Sequence, residues 1–238
     1  MKKAILVTGA TGGLGQVISE ELDTKDYQLV LLGSNSAKVQ HVAENLNNVI
    51  SCIEYNLEDL RNIESIFEKC KEQNIILDGM VHCAGINRGM PIKANDIDVE
   101  FQMAKVNTAA FVELGKHFCK KKYSSVGSSI VAISSMASIN NAKGMGMYSA
   151  TKAALNSIVQ TMAKEFITRK IRVNAILPGY LEHTMRNEIL FMSEDKMKEI
   201  QPLGLIPYEQ VATMVEFLLS EKSNYITGAL VPIGGGQV

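Results

Sequence analysis

Tyr148 and Lys152 stand four residues apart in Tyr148-Ser149-Ala150-Thr151-Lys152, inside a stretch whose pattern reads as helix, so both side chains project from one face within reach of each other. The pairing has a chemical use. A phenol with an ordinary pKa of about 10 exchanges protons poorly at neutral pH, and an ammonium beside it stabilises the phenolate and lowers that value. A group whose pKa lies nearer the working pH transfers its proton more readily in either direction. Ser135 lies 13 residues before Tyr148, at the end of an apolar run that reads as strand, where its hydroxyl can face the same cleft. Taken singly, each residue has a plainer use. A Tyr-x-x-x-Lys pair is ordinarily a packed ring beside a snorkelling lysine, and a serine at a strand end is most often a turn or cap.

A second constellation follows the first apolar run: Thr8-Gly9-Ala10-Thr11-Gly12-Gly13-Leu14-Gly15, leading into a helical pattern. Glycines let the backbone turn sharply and approach a pyrophosphate, while the helix start offers unpaired N–H groups and the positive end of its dipole. A glycine-rich turn alone is an ordinary loop; between a strand and a helix it reads as a dinucleotide site.

These residues need elements to hold them. Short β-rich runs alternate with longer amphipathic stretches, the pattern of parallel strands joined by crossover helices. Strands are expected near Ala4–Thr8, Gln28–Leu32, Val49–Glu54, Leu77–His82, Ser129–Ser134, Arg172–Ile176 and Ala229–Ile233. Helices are expected near Leu14–Leu22, Ala37–Leu46, Leu60–Gln73, Val99–Lys121, Tyr148–Thr168 and Glu209–Leu219. Several strands are apolar almost throughout, as when helices cover both faces of a sheet. The polar, Met-rich stretch from His183 to Pro207 reads as an insertion covering a ligand.

The 238 residues are read as a single domain spanning 1–238, a normal size for an α/β chain with one core. With 24 Lys+Arg against 25 Asp+Glu, the net charge of −1 argues against a nucleic-acid or membrane-surface binder. Apolar runs are too short to span a bilayer, and Met1-Lys2-Lys3-Ala4 runs into a strand with no room for a signal peptide, so a cytoplasmic protein is expected. Cys52, Cys70, Cys83 and Cys119 show no metal or disulfide spacing and are expected to be small buried apolar residues; no metal site is expected.

The spacing T-G-x-x-x-G-x-G resembles the short-chain dehydrogenase/reductase family, and further segments fall in that family's order. His82-Cys83-Ala84-Gly85 resembles its N-A-G segment with Cys83 in place of Asn. Asn107 matches its helix asparagine, and Ser135, Tyr148, Lys152 and Pro178-Gly179 follow in sequence. The resemblance covers nearly the whole chain and implies a three-layer doubly wound Rossmann fold of about seven parallel strands flanked by helices. It implies that Ser135, Tyr148 and Lys152 act with Asn107. Tyr148 exchanges the proton, Ser135 hydrogen-bonds the substrate oxygen, Lys152 also binds the nicotinamide ribose, and Asn107 holds a water leading to solvent.

For the cofactor, the resemblance assigns the turn residues Gly9, Thr11, Gly12, Gly13, Leu14 and Gly15, then Ser34 and Asn35 after the second strand, with Asn56 and Leu57 beside the adenine. Ala84, Gly85, Pro178, Gly179 and Leu181 follow toward the nicotinamide, with Thr184 beside its carboxamide, one position beyond the family's usual threonine. NAD-selective sites commonly carry an acid after the second strand to bind the ribose 2′-hydroxyl; Leu32-Gly33-Ser34-Asn35-Ser36 has none, which favours NADP (as NADPH) over NAD.

Met136, Asn140, Met145, Met147, Tyr180, Met185 and Met192 are the expected substrate wall, suited to a chain or hydrophobic ketone. Overall the chain is most similar to 3-oxoacyl-acyl-carrier-protein reductases, including the endings Tyr225-Ile226-Thr227-Gly228 and Gly234-Gly235-Gly236. That implies NADPH-dependent reduction of a ketone or acyl thioester in fatty acid biosynthesis, with acyl carrier protein docking near Lys120, Lys121, Lys122 and Arg169. A sugar or polyol dehydrogenase is the alternative on the same scaffold. A dinucleotide-binding regulator would not need Ser135, Tyr148 and Lys152. Family likeness also implies a homotetramer.

Overall fold

The computed structural model describes residues 2–141, 143–182 and 194–237. Among them seven strands form one parallel sheet: β1 (Ala4–Thr8), β2 (Gln28–Gly33), β3 (Val49–Glu54), β4 (Leu77–His82), β5 (Ser124–Ile133), β6 (Arg172–Pro178) and β7 (Leu230–Ile233). Their order is β3-β2-β1-β4-β5-β6-β7, so the winding reverses between β1 and β4. In such sheets the crevice beyond the strands' carboxyl ends at that reversal is where ligands bind. The helices are α1 (Gly13–Thr24), α2 (Ser36–Ala43), α3 (Glu64–Glu72), α4 (Ile97–Ala104), α5 (Ala110–Phe118), α6 (Ala137–Asn140), α7 (Gly146–Glu165), α8 (Glu194–Ile200) and α9 (Tyr208–Leu219).

Alternate residues of each strand point to opposite faces, and both faces are covered. Leu6, Val30 and Ile130 pack with Phe67 of α3, Phe111 of α5, and Leu155 and Val159 of α7. Ile5, Leu29 and Leu31 face the other way, toward Ile18 and Leu22 of α1 and Val211 and Val215 of α9. Burying each such side chain contributes about 1.5–3 kcal/mol, enough to make the central strands apolar on both sides. The three-layer, doubly wound Rossmann arrangement expected of the sequence is the one observed.

The departures are local and physical. The stretch Val99–Lys121, expected as one helix, divides into α4, a π-helical segment Lys105–Ala109, and α5; hydrophobic periodicity does not register a one-turn change of winding. Strand β5 begins at Ser124 rather than near Ser129, and its pairing with β4 shifts between Leu77 and Gly79. Exposed Val126 and Gly127, the latter at φ +82°, form the protruding part. Of the four cysteines expected to be buried only Cys70 is fully so; Cys83 and Cys119 are half-buried and Cys52 is exposed, because β3 is an edge strand and Cys52 takes an outward position on it. Arg172 is buried at the base of β6. It donates to Ser223 Oγ at 2.8 Å and to the Ser220 carbonyl at 3.1 Å, where the C-terminal end of α9 offers partial negative charge.

Leu181 forms a parallel bridge with Ile206, next to the ends of the stretch expected as an insertion. His183, Thr184, Met185 and Met192 lie outside the described residues, and α8 falls within the sequence bounds expected for the insertion.

Candidate active site

The phosphate turn is built by close backbone approach. Gly9 has φ +68°, and a Cβ there would stand 2.7 Å from the Ala84 backbone; one on Gly15 would stand 2.2 Å from the Gly9 carbonyl oxygen. Neither position tolerates a side chain. The Gly12 N–H donates to the Gly9 carbonyl and Ala10 N–H to Leu32, which ties the turn to β2. Gly12 caps α1 and is exposed with Gly13, so the first N–H groups of a 12-residue helix open onto the crevice. This glycine-shaped cradle fits a pyrophosphate. Gly15→Ala is expected to weaken dinucleotide binding by more than about 100-fold in a fluorescence titration. Gly12→Ala, whose Cβ would meet only the Gly9 carbonyl at 3.4 Å, should leave it nearly unchanged. Equal effects would count against the turn as the binding element.

At the end of β2, Ser34 and Asn35 are exposed. Asn35 accepts from the Lys38 N–H at 3.0 Å and so caps α2. Asn56 is likewise engaged locally, accepting from the Glu58 N–H at 3.1 Å, and Leu57 is buried behind it. No acid occupies the turn after β2.

Tyr148 and Lys152 lie on α7 one turn apart. The Lys152 ammonium is buried, donates to the Ile133 carbonyl at 2.8 Å, and stands 5.8 Å from the Tyr148 ring centroid. Burial lowers its pKa from 10.5 to about 8. At neutral pH the group remains mainly an ammonium, while giving up its proton far more easily than an exposed lysine. Ser134, at the end of the same strand region, donates to the Lys152 carbonyl at 3.3 Å, which joins β5 to α7.

Ser135 follows, and its Oγ accepts from the Ala137 N–H at 3.1 Å at the start of α6. Asn156, which sequence reasoning missed, supports this turn. Its Nδ2 donates to Ser138 Oγ at 2.8 Å, and that hydroxyl donates to the Ser135 carbonyl at 2.6 Å. The available signal was the spacing of Tyr148, Lys152 and Asn156, four residues apart on one stripe of a helix.

Asn107 is fully buried in the π-helical segment. Its Oδ1 accepts from the Ile86 N–H at 2.7 Å, and its Nδ2 donates to the Ile86 carbonyl at 2.9 Å and to Thr151 Oγ1 at 3.1 Å. The amide thus staples the segment after β4 to α7, so its donors are already committed to protein partners. Between them sits Gly85, where a Cβ would lie 3.4 Å from both Asn107 Oδ1 and Lys152 Nζ.

At the end of β4, Thr8 Oγ1 accepts from the Ala84 N–H at 3.2 Å and lies 3.1 Å from His82 Nδ1. Burial, assisted by the Lys152 charge, pushes His82 down to about 3, so this imidazole is neutral. Burial pushes the Cys83 thiol up to about 12, and it is no nucleophile. On the far side, Pro178 accepts from the Met136 N–H at 2.8 Å and Gly179 donates to Ile233 at 2.8 Å, which brings β6, β7 and the serine turn together. Met136 is buried, Met145, Met147, Tyr180 and Leu181 are half-buried, and Asn140 is exposed.

The basic residues near α5 are largely engaged. Lys120 donates to Glu64 and Lys122 to Glu68, each at 2.8 Å, and the Arg169 guanidinium donates to the Cys119 and Ser124 carbonyls. Hydrogen bonds from Lys120 and Tyr123 draw the Glu64 carboxyl down to about 2. Only Lys121 of the expected group is exposed with no ion pair among the described residues. No described helix is long and apolar enough to cross a membrane, and no described cluster of His, Cys, Asp or Glu could hold a metal.

A phosphate cradle at the winding reversal, with a tyrosine, a buried lysine and a serine at the same sheet edge, is the layout of a nicotinamide-dinucleotide-dependent oxidoreductase. A family profile described as short chain dehydrogenase matches residues 3–193. The chain belongs to the short-chain dehydrogenase family. It is 32% identical over 241 residues to a 3-oxoacyl-acyl-carrier-protein reductase of Aquifex aeolicus, covering 99% of this chain and 97% of that protein. It is 27% identical to nodulation protein G of a Rhizobium species, covering 97% and 95% respectively. Among solved structures, a short-chain type dehydrogenase/reductase from Mycobacterium ulcerans superposes with a TM-score of 0.90 at 27% identity, covering 99% of this chain and 89% of that one.

Proposed function

We propose that the protein is an NADPH-dependent reductase of a ketone, that its methionine-lined wall suits a chain or hydrophobic ketone better than a sugar, and that its substrate is a 3-oxoacyl thioester. The carrying observation is the Lys152 ammonium, buried beside the Tyr148 ring and held to the end of β5. A nicotinamide nucleotide held in the cradle would supply the hydride. Tyr148 donates the proton to the carbonyl oxygen, helped by the lysine charge that stabilises the phenolate left behind. Ser135 hydrogen-bonds the same oxygen and orients it. Gly9 to Gly15 would hold the pyrophosphate, Lys152 the ribose, and Ala84, Gly85, Pro178, Gly179 and Leu181 the nicotinamide end; Thr184, assigned to the carboxamide, lies outside the described residues.

The absence of an acid after β2 supports NADPH, with Ser34 and Asn35 near the 2′-phosphate. The similarity to the Aquifex reductase across nearly both chains supports the thioester class. An acidic carrier protein would dock over Lys121 and draw Lys120 and Lys122 from their exposed pairs, which are individually weak; Arg169 is committed to backbone. Exposed Ile97 and Phe101 of α4 and the exposed Ala150, Ala153, Ala154 and Ser157 of α7 support pairing of these helices in a cytoplasmic homotetramer.

The test is oxidation of NADPH and of NADH with acetoacetyl thioesters, keto-sugars and simple ketones. The expected result is fastest turnover with NADPH and an acetoacetyl thioester. Preference for a keto-sugar, or for NADH, would overturn the corresponding part of the reading.

A further inference from the structure

Gln201 and the glycines Gly234-Gly235-Gly236 take no part in the chemistry above, yet they meet beside the cleft. Gln201 directly follows α8 and is fully buried. Its Oε1 accepts from the Tyr180 N–H at 2.8 Å and from Gln237 Nε2 at 2.7 Å. Its Nε2 donates to the carbonyls of Tyr180, at 3.0 Å, and Gly204. Both N–H groups and both acceptor positions of one buried amide are therefore used, a fully satisfied polar node of the kind that rigidifies its surroundings.

The glycines give that node room. A Cβ on Gly235 would stand 2.6 Å from Gln201 Cγ, and one on Gly179 would stand 2.5 Å from Gln201 Oε1. Leu203 donates to the Gly235 carbonyl at 2.9 Å, which lays the C-terminal tail along the Gln201 segment. The tail then reaches the serine side of the cleft. Asn140 Nδ2 donates to Gln237 Oε1 at 3.2 Å, and Met136, next to Ser135, has its Cε 3.4 Å from where a Gly234 Cβ would stand. One polar chain thus runs from the Tyr180 backbone through Gln201 and Gln237 to exposed Asn140, linking three segments that border the cleft.

We propose that Gln201 is a positioning residue that holds the C-terminal tail against α6, so that Gln237 and Asn140 form an amide-lined outer wall that favours ketones bearing a second polar group, such as a thioester carbonyl, over bulky apolar ones. This rests on the ketone-reductase reading and adds to it a specificity determinant outside the proton-transfer residues. A carboxamide wall gives hydrogen bonds to a second carbonyl and leaves an apolar group facing desolvated amides, which is discrimination by both attraction and penalty.

The experiment compares Gln201→Leu and the milder Gln237→Ala with the unaltered chain. In both variants the KM for an acetoacetyl thioester is expected to rise by about tenfold, with kcat changed by less than about threefold and NADPH affinity retained, since a displaced wall affects substrate placement. The ratio of kcat/KM for a bulky aryl ketone over the thioester should rise by at least about fivefold. Hydrogen exchange of the Tyr180 and Leu203 amides should quicken in Gln201→Leu, and that of Leu203 in Gln237→Ala, by about tenfold or more. Unchanged KM, selectivity and Leu203 exchange in Gln237→Ala would overturn the proposal even if Gln201→Leu fails to fold. Parallel loss of kcat and NADPH affinity would instead assign Gln201 a general structural role and overturn it too. If the unaltered chain reduces no ketone in the panel, the reductase reading fails on its own, and unchanged amide exchange in Gln237→Ala still overturns the anchoring.

Discussion

Tyr148→Phe is expected to lower kcat for ketone reduction by about 10²–10⁴-fold, the usual contribution of a positioned proton donor, while NADPH affinity stays within about twofold. The substitution removes one hydroxyl from a half-buried ring and leaves the helix, the lysine and the phosphate cradle in place. A loss confined to kcat assigns the hydroxyl to the transition state. Steady-state kinetics together with a fluorescence titration of NADPH separates the two. Activity within tenfold of the unaltered chain would remove Tyr148 from the chemistry, because no neighbouring group could then be credited with replacing its proton so cheaply.

Lys152→Met keeps the length and much of the shape of the side chain and removes its charge. Without the ammonium, the phenolate left when Tyr148 gives up its proton has no positive charge beside it, so kcat is expected to fall by about 100-fold or more, and NADPH affinity is expected to fall with the proposed ribose contact. The pH dependence follows from the buried ammonium. Its pKa is lowered to about 8, so the cation is populated below that value and is lost as pH rises through it. Activity of the free enzyme should decline across that range in the unaltered chain, and the variant should lack this limb.

The same shift makes a stability prediction of opposite sign. The unfolded chain holds the Lys152 proton up to about 10.5, whereas the folded chain releases it near 8. The penalty is therefore fully present below pH 8 and is relieved as pH rises toward 10.5. Lys152→Met removes this penalty together with the hydrogen bond to Ile133, so the gap in unfolding temperature between the unaltered chain and the variant should shift in favour of the unaltered chain as pH rises from 8 toward 10.5, measured by thermal melts across that range. A gap that stays constant across that range, in a fully active variant, would contradict the assignment of a strained, functional ammonium.

Much of this fold is legible in the chain because it depends on local pattern. Ala4–Thr8 and Leu77–His82 are strands with the bounds their apolar runs suggest, since strands covered on both faces are mostly apolar; Val49–Glu54 has the expected bounds too, although as an edge strand it exposes Cys52 and Glu54. The Ser135, Tyr148 and Lys152 set stands out in the sequence because helical spacing puts the last two on one face and all three fall in the family's order. Other features escape local pattern. The π-helical Lys105–Ala109 segment, which turns Asn107 onto Ile86 and Thr151, is a change of winding inside an otherwise ordinary amphipathic stretch. The bulge at Val126-Gly127 hides the start of β5 because its residues are polar or exposed rather than apolar.

By itself, then, the sequence determined the alternation of strands and helices behind the layered fold and put Tyr148 and Lys152 on one helix face, because periodicity and residue chemistry are properties of neighbours along the chain; the proton-exchanging role proposed for them rests on the family order of Ser135, Tyr148 and Lys152. Only the tertiary structure decided which amides are already committed to protein partners. Asn107 is bound to Ile86 and Thr151, Asn156 supports the Ser135 turn through Ser138, and Gln201 gathers Tyr180, Gly204 and Gln237 around one buried amide. Apart from the short links from Gln201 to Gly204 and from Ser138 to Ser135, these contacts join residues 18 to 44 positions apart, and an amide's partners are set by what burial leaves within about 3 Å, which no spacing along the chain encodes.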